Sequence, residues 1–277
     1  MTSTAPGQDE TGADLGRRYR AVPRSAEAHR ESMIASTMKI MEERGLPLDL
    51  KYMDMTELRK VAGVPKSTYY RIWRTHEEFY IELVEAMVQP DRATEILLDE
   101  GTVAAAEEVL AKYAYLLRDD RGCLQPDVEG RRRVLHEIIR RGVEYNFENT
   151  YQSRVWRTYS ALAAALPSLR DDGLHARARD VLAAADSRDI KRMAAFYTGM
   201  LAELGWRFRA DFKPATFAAA AAAVINGLAV RTMMNPAAAD PVSLADIEGK
   251  PVEWHPAAIG FLALLNGMTE PIEVAVE

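Results

Sequence analysis

The sequence predicts an all-α fold in which a compact unit of four short helices precedes a larger helical domain. Three observations predict it. Apolar residues recur at helical spacing from Ala26 onward, capping residues and glycines mark helix ends, and no strand-like alternation or internal repeat is recognised. We divide the chain into an arm at 1–25, a four-helix unit at 26–90 and a helical domain at 91–277.

The first predicted helix has one apolar face and ends at Gly45, a residue type that commonly follows helix ends. This face carries Met33, Ile34, Thr37, Met38 and Met41. The second helix begins at Asp54, which together with Glu57 has the form of a capping box. It ends at Gly63.

The third and fourth helices follow at short intervals. Pro65 suits the first turn of the third helix because no N–H is needed there, and Thr75 caps the fourth helix, which ends before residue 90. Beyond Asp91 the periodicity predicts further helices at roughly 93–118, 129–150, 151–166, 174–207, 214–234 and 256–268.

The third helix has two chemically different faces. Tyr69, Ile72 and Trp73 share one side and, with Val64, are predicted to be buried. The other side carries hydroxyls and cations, at Lys66, Ser67, Tyr70, Arg71 and Arg74, with Thr68 at its edge. A helix of this kind after a glycine-containing turn is what a helix-turn-helix presents to the major groove. The alternative is the solvated face of a helical bundle.

Net charge does not decide between these alternatives. The chain carries −6 overall, and residues 26–90 hold nine Lys or Arg against eleven acids, but residues 65–76 contain no acid. Phosphate contact needs only a local basic face, because charges beyond about 10 Å are screened at 0.1 M salt. A second acid-free run, at Arg17, Arg18, Arg20 and Arg24, either enters an adjacent minor groove or belongs to a disordered arm.

Three segments in the same order resemble the DNA-binding domain of the tetracycline-repressor (TetR) family. They are the run from Met33 to Gly45, the segment from Ala62 to Trp73 and the start of the fourth helix at Thr75–Phe79, which together hold 30 residues of the predicted four-helix unit. Four departures are present. The loop between Gly45 and Asp54 is longer, Pro65 replaces Ser, Trp73 replaces Phe, and His76 stands where the family has a phosphate-binding Lys.

The resemblance implies a homodimeric transcriptional regulator, a repressor that binds a palindromic double-stranded DNA operator and releases it when a small molecule binds the C-terminal domain. The implied DNA contacts are Thr56, Lys66, Ser67, Thr68, Tyr70, Arg71, Arg74 and His76. Asn226-Gly227-Leu228 is similar to a family motif on the penultimate helix. Six alanines, Ala218 to Ala223, suit close helix packing, and we expect a dimer interface with the final helix around Ala257–Leu265. The alternative is a buried helix of a monomer.

A pocket between helices would be lined by aromatic and apolar groups with a few polar ones. The candidate pool is Tyr113, Tyr145, Phe147, Tyr151, Trp156, Tyr159, Phe196, Tyr197, Met200 and Asn226. Any one of them is more often ordinary core. The arginines at 131–133, 140 and 141 are expected to form a solvated face or ion pairs with Glu129 and Glu137.

Enzymatic and metal-binding signatures are weak. Arg140 interrupts the zinc pattern that starts at His136-Glu137, and the single cysteine, Cys123, makes no disulfide within the chain. We expect no cofactor and no metal. A helical enzyme and a protein-interaction adaptor remain the alternatives. The stretch Pro214–Val230 is judged too short and too weakly apolar to span a bilayer, so we expect a cytoplasmic protein without a membrane partner.

Overall fold

The computed structural model describes residues 25–45, 53–89, 100–165 and 172–273, and most of these residues lie in eleven α-helices. The all-α prediction is confirmed. The helices are α1 (Ala26–Arg44), α2 (Met55–Ala62), α3 (Lys66–Ile72), α4 (His76–Met87), α5 (Glu100–Lys112), α6 (Ala114–Leu117), α7 (Val128–Gln152), α8 (Arg154–Ala165), α9 (Asp172–Glu203), α10 (Pro214–Met234) and α11 (Pro256–Met268). The strands are β1 (Trp206–Phe208), β2 (Val242–Ala245), β3 (Pro251–Trp254) and β4 (Thr269–Pro271).

Some predictions fall outside the described residues. They concern the arginine-containing arm, the long loop after Gly45, the boundary between the two predicted domains at 90/91 and the start of the helix predicted at 93.

Side-chain caps begin α2 and α4 as predicted. The Asp54 carboxylate accepts hydrogen bonds from the Thr56 and Glu57 N–H groups at 2.8 and 3.1 Å, and the Thr75 hydroxyl accepts one from the Glu78 N–H at 3.2 Å. The Glu57 carboxylate accepts a 2.7 Å hydrogen bond from Arg44 Nη1. This contact joins the start of α2 to the end of α1.

The turn between α2 and α3 depends on Gly63. This residue has φ +66°, a left-handed conformation that side chains disfavour. The turn lets the Gly63 N–H reach the Lys60 carbonyl at 3.2 Å and the Val64 N–H reach the Arg59 carbonyl at 2.9 Å. The Ser32 hydroxyl of α1 also donates to the Ala62 carbonyl at 2.9 Å, which fixes the end of α2 against α1.

Two large hydrophobic cores and one small cluster, formed by Met193, Ala194 and Ala218, lie among the described residues. The first holds the inner faces of α1–α4 and also receives Leu162 from α8 and Leu182 from α9. The second is formed mainly by α5, α7 and α9–α11. Near its centre, the rings of Tyr197, Phe217 and Phe261 meet edge to face with centroids 5.2–5.6 Å apart. The shared side chains of α8 and α9 connect the N-terminal unit to the larger domain.

The prediction that the chain contains no strands was wrong at four short segments. The antiparallel pair β1–β4 joins residues 206–208 to 269–271, and the hairpin β2–β3 lies within the predicted interruption between α10 and α11. The helix predicted to reach residue 207 ends at Glu203, and Gly205 with φ +73° redirects the chain into β1. Strands of three or four residues are too short for alternation to be distinguished from a helix end.

Arg131 corrects the expectation of a solvated arginine face. Its side chain is fully buried and donates to the Gly205 carbonyl at 3.1 Å and the Ile272 carbonyl at 3.2 Å. Burial lowers the pKa of its guanidinium. The expected ion pairs are confirmed for Arg132 with Glu129, at 2.6 Å, and for Arg140 with Glu137, at 2.7 Å.

Helix α10 is long and apolar enough to cross a membrane by length and composition, which corrects the expectation that this segment is too short and too weakly apolar. A third of its most apolar window (33%) is buried. One face, including Phe217, Ala221 and Ile225, belongs to the larger core. Core helices pass the same test of length and composition.

The glycines at 205 and 249 offer a matched test of the Arg131 contact. Both have positive φ, at +73° and +78°, but a Cβ at Gly205 would lie 1.8 Å from Arg131 Nη1, whereas one at Gly249 meets nothing within 4 Å. We predict that Gly205→Ala lowers the free energy of unfolding by about 1–3 kcal/mol more than Gly249→Ala, measured by urea denaturation. Equal losses would contradict the packing of Arg131 against Gly205.

Candidate nucleic-acid interface

The inner face of α3 contributes aromatic side chains to the first core. Tyr69 and Trp73 are buried, as predicted, together with Val64, and Ile72 is half-buried. The rings of Tyr69 and Trp73 lie 5.1 Å apart, and each contacts Phe79 of α4, at 5.8 and 5.1 Å between centroids. Burial of this face determines which side of α3 meets solvent.

The Trp73 indole connects three helices through one carboxylate. Its Nε1–H donates to Glu82 Oε2 of α4 at 2.7 Å, and Arg30 Nη1 of α1 lies 3.2 Å from the same oxygen. The Arg30 guanidinium also lies 5.9 Å from the Trp73 ring centroid. A buried indole N–H needs a partner, and this arrangement supplies one that also fixes α3 relative to α1 and α4.

The outer face of α3 carries polar and cationic groups. The exposed residues here are Lys66, Ser67, Tyr70, Arg71 and Arg74, and Thr68 is half-buried. Thr56 is exposed in the first turn of α2. The surface formed by these residues of α3 and α2 is called the α3 outer face below. It presents three cations, and residues 65–76 contain no acid; the Glu78 carboxylate accepts a hydrogen bond from the Arg74 N–H at 2.8 Å. The residues predicted to contact DNA therefore share one accessible region, although the contacts themselves stay a prediction.

His76 lies between the outer face and the aromatic core. Its Nδ1 is 3.0 Å from the Tyr69 hydroxyl, and its ring is 5.9 Å from that of Tyr70. Burial, reinforced by Tyr80 and Tyr70, raises the pKa of Tyr69, so this phenol stays protonated. When the phenol donates to Nδ1, a ring proton on Nε2 is free to be donated to a phosphate oxygen.

Six of the ten predicted pocket residues line one cavity of about 190 Å³ in the larger domain. They come from α8, α9 and α10, and they are Trp156, Tyr159, Phe196, Tyr197, Met200 and Asn226. The Trp156 Nε1–H donates to Asn226 Oδ1 at 2.9 Å, which links α8 to α10 beside the cavity. Burial raises the pKa of Tyr197, so its phenol also remains neutral.

The other four members of the predicted pool do not line this cavity. Tyr113 is buried with its hydroxyl directed to Glu248, and Tyr145 is exposed. Phe147 stacks on Tyr151 at 5.9 Å between ring centroids, and it also contacts the ring of His255, which precedes α11. Tyr113, Phe147 and Tyr151 belong to the second core or pack against it, and Tyr145 lies at the surface.

Two carboxylates in the cavity lining were missed by the sequence-based interpretation. Asp186 and Asp189 of α9 line the cavity together with Met193. Their spacing from Met193, Phe196 and Met200 is three or four residues at each step, which places them all on one helical face. The sequence did contain a signal for these carboxylates, because two acids lie on an otherwise apolar helical face.

The cavity extends to the end of α4. Met87 and Val88 contribute to its lining, and Arg188 Nη2 of α9 donates to the Val88 carbonyl at 2.7 Å. The cavity therefore contacts the helix that follows α3, and Trp73 is hydrogen-bonded to that same helix. The cavity lining therefore includes the end of a helix that supports α3.

Helices α10 and α11 leave an apolar strip uncovered, here called the α10–α11 strip. On α10 it comprises Ala223, Gly227, Val230 and Met234, which are exposed and fall on one helical face. On α11 it continues through Ala263 and Gly267. The two helices pack closely, since a Cβ at Gly260 would lie 2.9 Å from Val224 Cγ1.

Substitutions on the two faces of α3 are predicted to change stability by very different amounts. Trp73→Ala removes a fully buried ring and should lower the free energy of unfolding by about 3–5 kcal/mol. Arg71→Ala changes an exposed side chain and should alter it by less than about 0.5 kcal/mol. Chemical denaturation followed by circular dichroism measures both, and a large loss for Arg71→Ala would place that residue in the packing of the fold.

No protein-family model matches this chain, and no curated protein matches it in sequence. Solved structures do show similarity. A protein from Rhodococcus sp. RHA1, assigned as a transcriptional regulator, is 13% identical, with 86% of this chain and 94% of that chain covered and a TM-score of 0.47. The reduced form of Escherichia coli NemR is 18% identical, with 88% and 98% covered and a TM-score of 0.42. A TetR-family transcriptional regulator from Agrobacterium tumefaciens is 12% identical, with 89% and 100% covered and a TM-score of 0.43. At these identities the similarities transfer neither a DNA sequence nor a ligand to this chain.

Proposed function

We propose that this protein is a sequence-specific DNA-binding regulator of transcription that inserts α3 into the major groove. The observation that carries the proposal is the division of α3 into a buried aromatic face and an exposed face of cations and hydroxyls. The Gly63 turn and the packing on α1 and α4 give the geometry of a helix-turn-helix, in which the second helix meets base edges.

The residues of the α3 outer face divide by chemistry. Lys66 and Arg71 suit guanine O6 and N7, and the Thr68 methyl suits the thymine methyl. Hydroxyls donate to phosphate oxygens, as do cations beside the groove. We assign that role to Ser67, Tyr70, Arg74, His76 and Thr56.

We propose that the protein acts as a homodimer through the α10–α11 strip. Small residues at Ala223, Gly227 and Gly267 favour close approach of helices, and Val230 and Met234 offer apolar surface that is otherwise exposed. A two-fold axis would place two copies of α3 on half-sites about 34–36 Å apart, so the operator would be palindromic.

We further propose that a small molecule in the α8–α10 cavity weakens DNA binding, which makes the protein a ligand-responsive repressor of the cytoplasm. The cavity contacts α4 at Met87 and Val88, so an occupant that shifts α4 changes the position of α3. A coupling of about 1–3 kcal/mol would change DNA affinity by 5–150-fold.

DNA recognition is tested by selection from a library of randomised duplexes followed by fluorescence anisotropy. We predict enrichment of an inverted repeat. Against the selected duplex, Arg71→Ala should cost about 1–3 kcal/mol and relax the sequence preference at one position of each half-site. If Lys66 contacts a base, Lys66→Ala should have the same effect on affinity and sequence preference. If Lys66 contacts a phosphate, Lys66→Ala should reduce the slope of log affinity against log salt concentration by about one.

Arg121→Ala is the matched control, because Arg121 is exposed and lies far along the chain from the α3 outer face. It should bind the selected duplex as the native protein does. Failure to enrich any sequence, or binding that does not change with salt, would refute DNA recognition.

Dimerisation is tested by Val230→Glu, which places a charge in the α10–α11 strip. We predict a monomer by sedimentation velocity and a loss of about 10²-fold in operator affinity, because the two half-sites are no longer bound together. Ala183→Glu on α9 adds the same charge at an exposed position away from that strip. If the dimer persists in Val230→Glu and dissociates in Ala183→Glu, the dimer interface is not the α10–α11 strip and includes α9 instead.

A further inference from the structure

The cavity of the larger domain has an unusual balance of charge. Its lining from the described part of the chain contains two carboxylates, Asp186 and Asp189, and no Lys, Arg or His. The rest is apolar or aromatic, with a few uncharged polar groups. A carboxylate oxygen buried in such a lining is costly unless a hydrogen bond or a cation compensates it.

Asp189 is the more buried of the two acids. Its Oδ1 is shielded from solvent and accepts no hydrogen bond. Arg188 Nε lies 3.9 Å from Oδ1, and Nη2 of the same side chain is already hydrogen-bonded to the Val88 carbonyl. Burial raises the pKa of the Asp189 carboxyl, although Arg188 and Arg192 act in the opposite direction. One carboxylate oxygen is therefore left with unused capacity to accept hydrogen bonds.

A hydroxyl lies in the same electrostatic environment. Tyr159 of α8 also lines the cavity, and burial, with added effects of the Asp186 and Asp189 charges, raises its pKa. The phenol therefore remains neutral. Tyr159, Asp186 and Asp189 form a polar group on α8 and α9, here called the acidic end of the cavity.

Most of the remaining lining is apolar or aromatic. It includes Ile138, Trp156, Phe196, Tyr197 and Phe261. Aromatic faces attract cations as well as apolar groups. A volume of about 190 Å³ accommodates one ring with a short chain, since a cavity of roughly 150 Å³ holds benzene.

We propose that this cavity binds a small hydrophobic amine in its cationic form, with the ammonium group at the acidic end beside Asp189 and the apolar body among the aromatic rings. The proposal rests on the proposed function in that this amine would be the effector of the regulator. An ammonium group would donate to the unused Asp189 oxygen and compensate the charge of this carboxylate. An anionic ligand would face the same two carboxylates and be repelled.

The test uses three probes that share one apolar body and differ in charge. They are phenylpropylamine, phenylpropanol and phenylpropionate, titrated into the full-length protein by isothermal calorimetry at neutral pH. We expect the amine to bind at least about tenfold more tightly than the alcohol, and the carboxylate more weakly than both. Equal binding of amine and alcohol, preference for the carboxylate, or no binding of the amine would each overturn the proposal.

Two isosteric variants locate the cation. Asp189→Asn should reduce the preference for amine over alcohol to within about threefold and leave the affinity for the alcohol nearly unchanged. Asp180→Asn, on the same helix but exposed and outside the cavity lining, should keep the full preference. A preference that survives Asp189→Asn would exclude Asp189 as the partner. The preference of the native protein decides the proposal even if Asp189→Asn does not fold.

DNA binding separates this inference from the proposed function. An amine preference that depends on Asp189, in a protein that enriches no DNA sequence, would keep the ligand class and refute the regulator. A protein that binds its selected duplex but shows no amine preference would refute the ligand class and keep the regulator.

Discussion

The fold of the N-terminal unit depends on the burial of Tyr69 and Trp73. These rings pack on Phe79, and the Trp73 indole donates to Glu82, which also pairs with Arg30. Helix α3 has only seven residues, too few to be stable alone, so its orientation is set by this tertiary packing. The same burial leaves Lys66 and Arg71 on the outside. Any account of DNA recognition by this chain therefore follows from where two aromatic rings are placed.

The acidic end and the α3 outer face are connected by a short series of contacts. Asp189 lies beside Arg188, Arg188 donates to the Val88 carbonyl, and Val88 follows α4 directly. Helix α4 in turn carries Glu82, the partner of Trp73. A cation at Asp189 would act on this series at its first member. The two proposals thus share one physical route, along which a charge in the cavity would alter the support of α3.

Much of the fold was predictable from local patterns. The helices, the caps at Asp54 and Thr75 and the two faces of α3 follow from periodicity and capping chemistry, which are local in the sequence. The pair β1–β4 was not predictable because it joins segments some 60 residues apart with no pattern of their own. Buried Arg131 was missed for the same reason, since its carbonyl partners lie far away in the chain. The residues that line the cavity were predicted only in part, because an aromatic residue such as Phe147 fits a core as well as a cavity. Asp189 was missed because its burial in the cavity lining cannot be recognised from the sequence.

The central claim is that the outer face of α3 meets a DNA duplex. Lysine acetylation followed by mass spectrometry tests it directly, with and without a saturating duplex selected by the protein. Lys66 should be acetylated in the free protein and protected in the complex, while Lys39, an exposed lysine of α1, should be acetylated in both. Equal acetylation of Lys66 in the free protein and the complex would contradict the account.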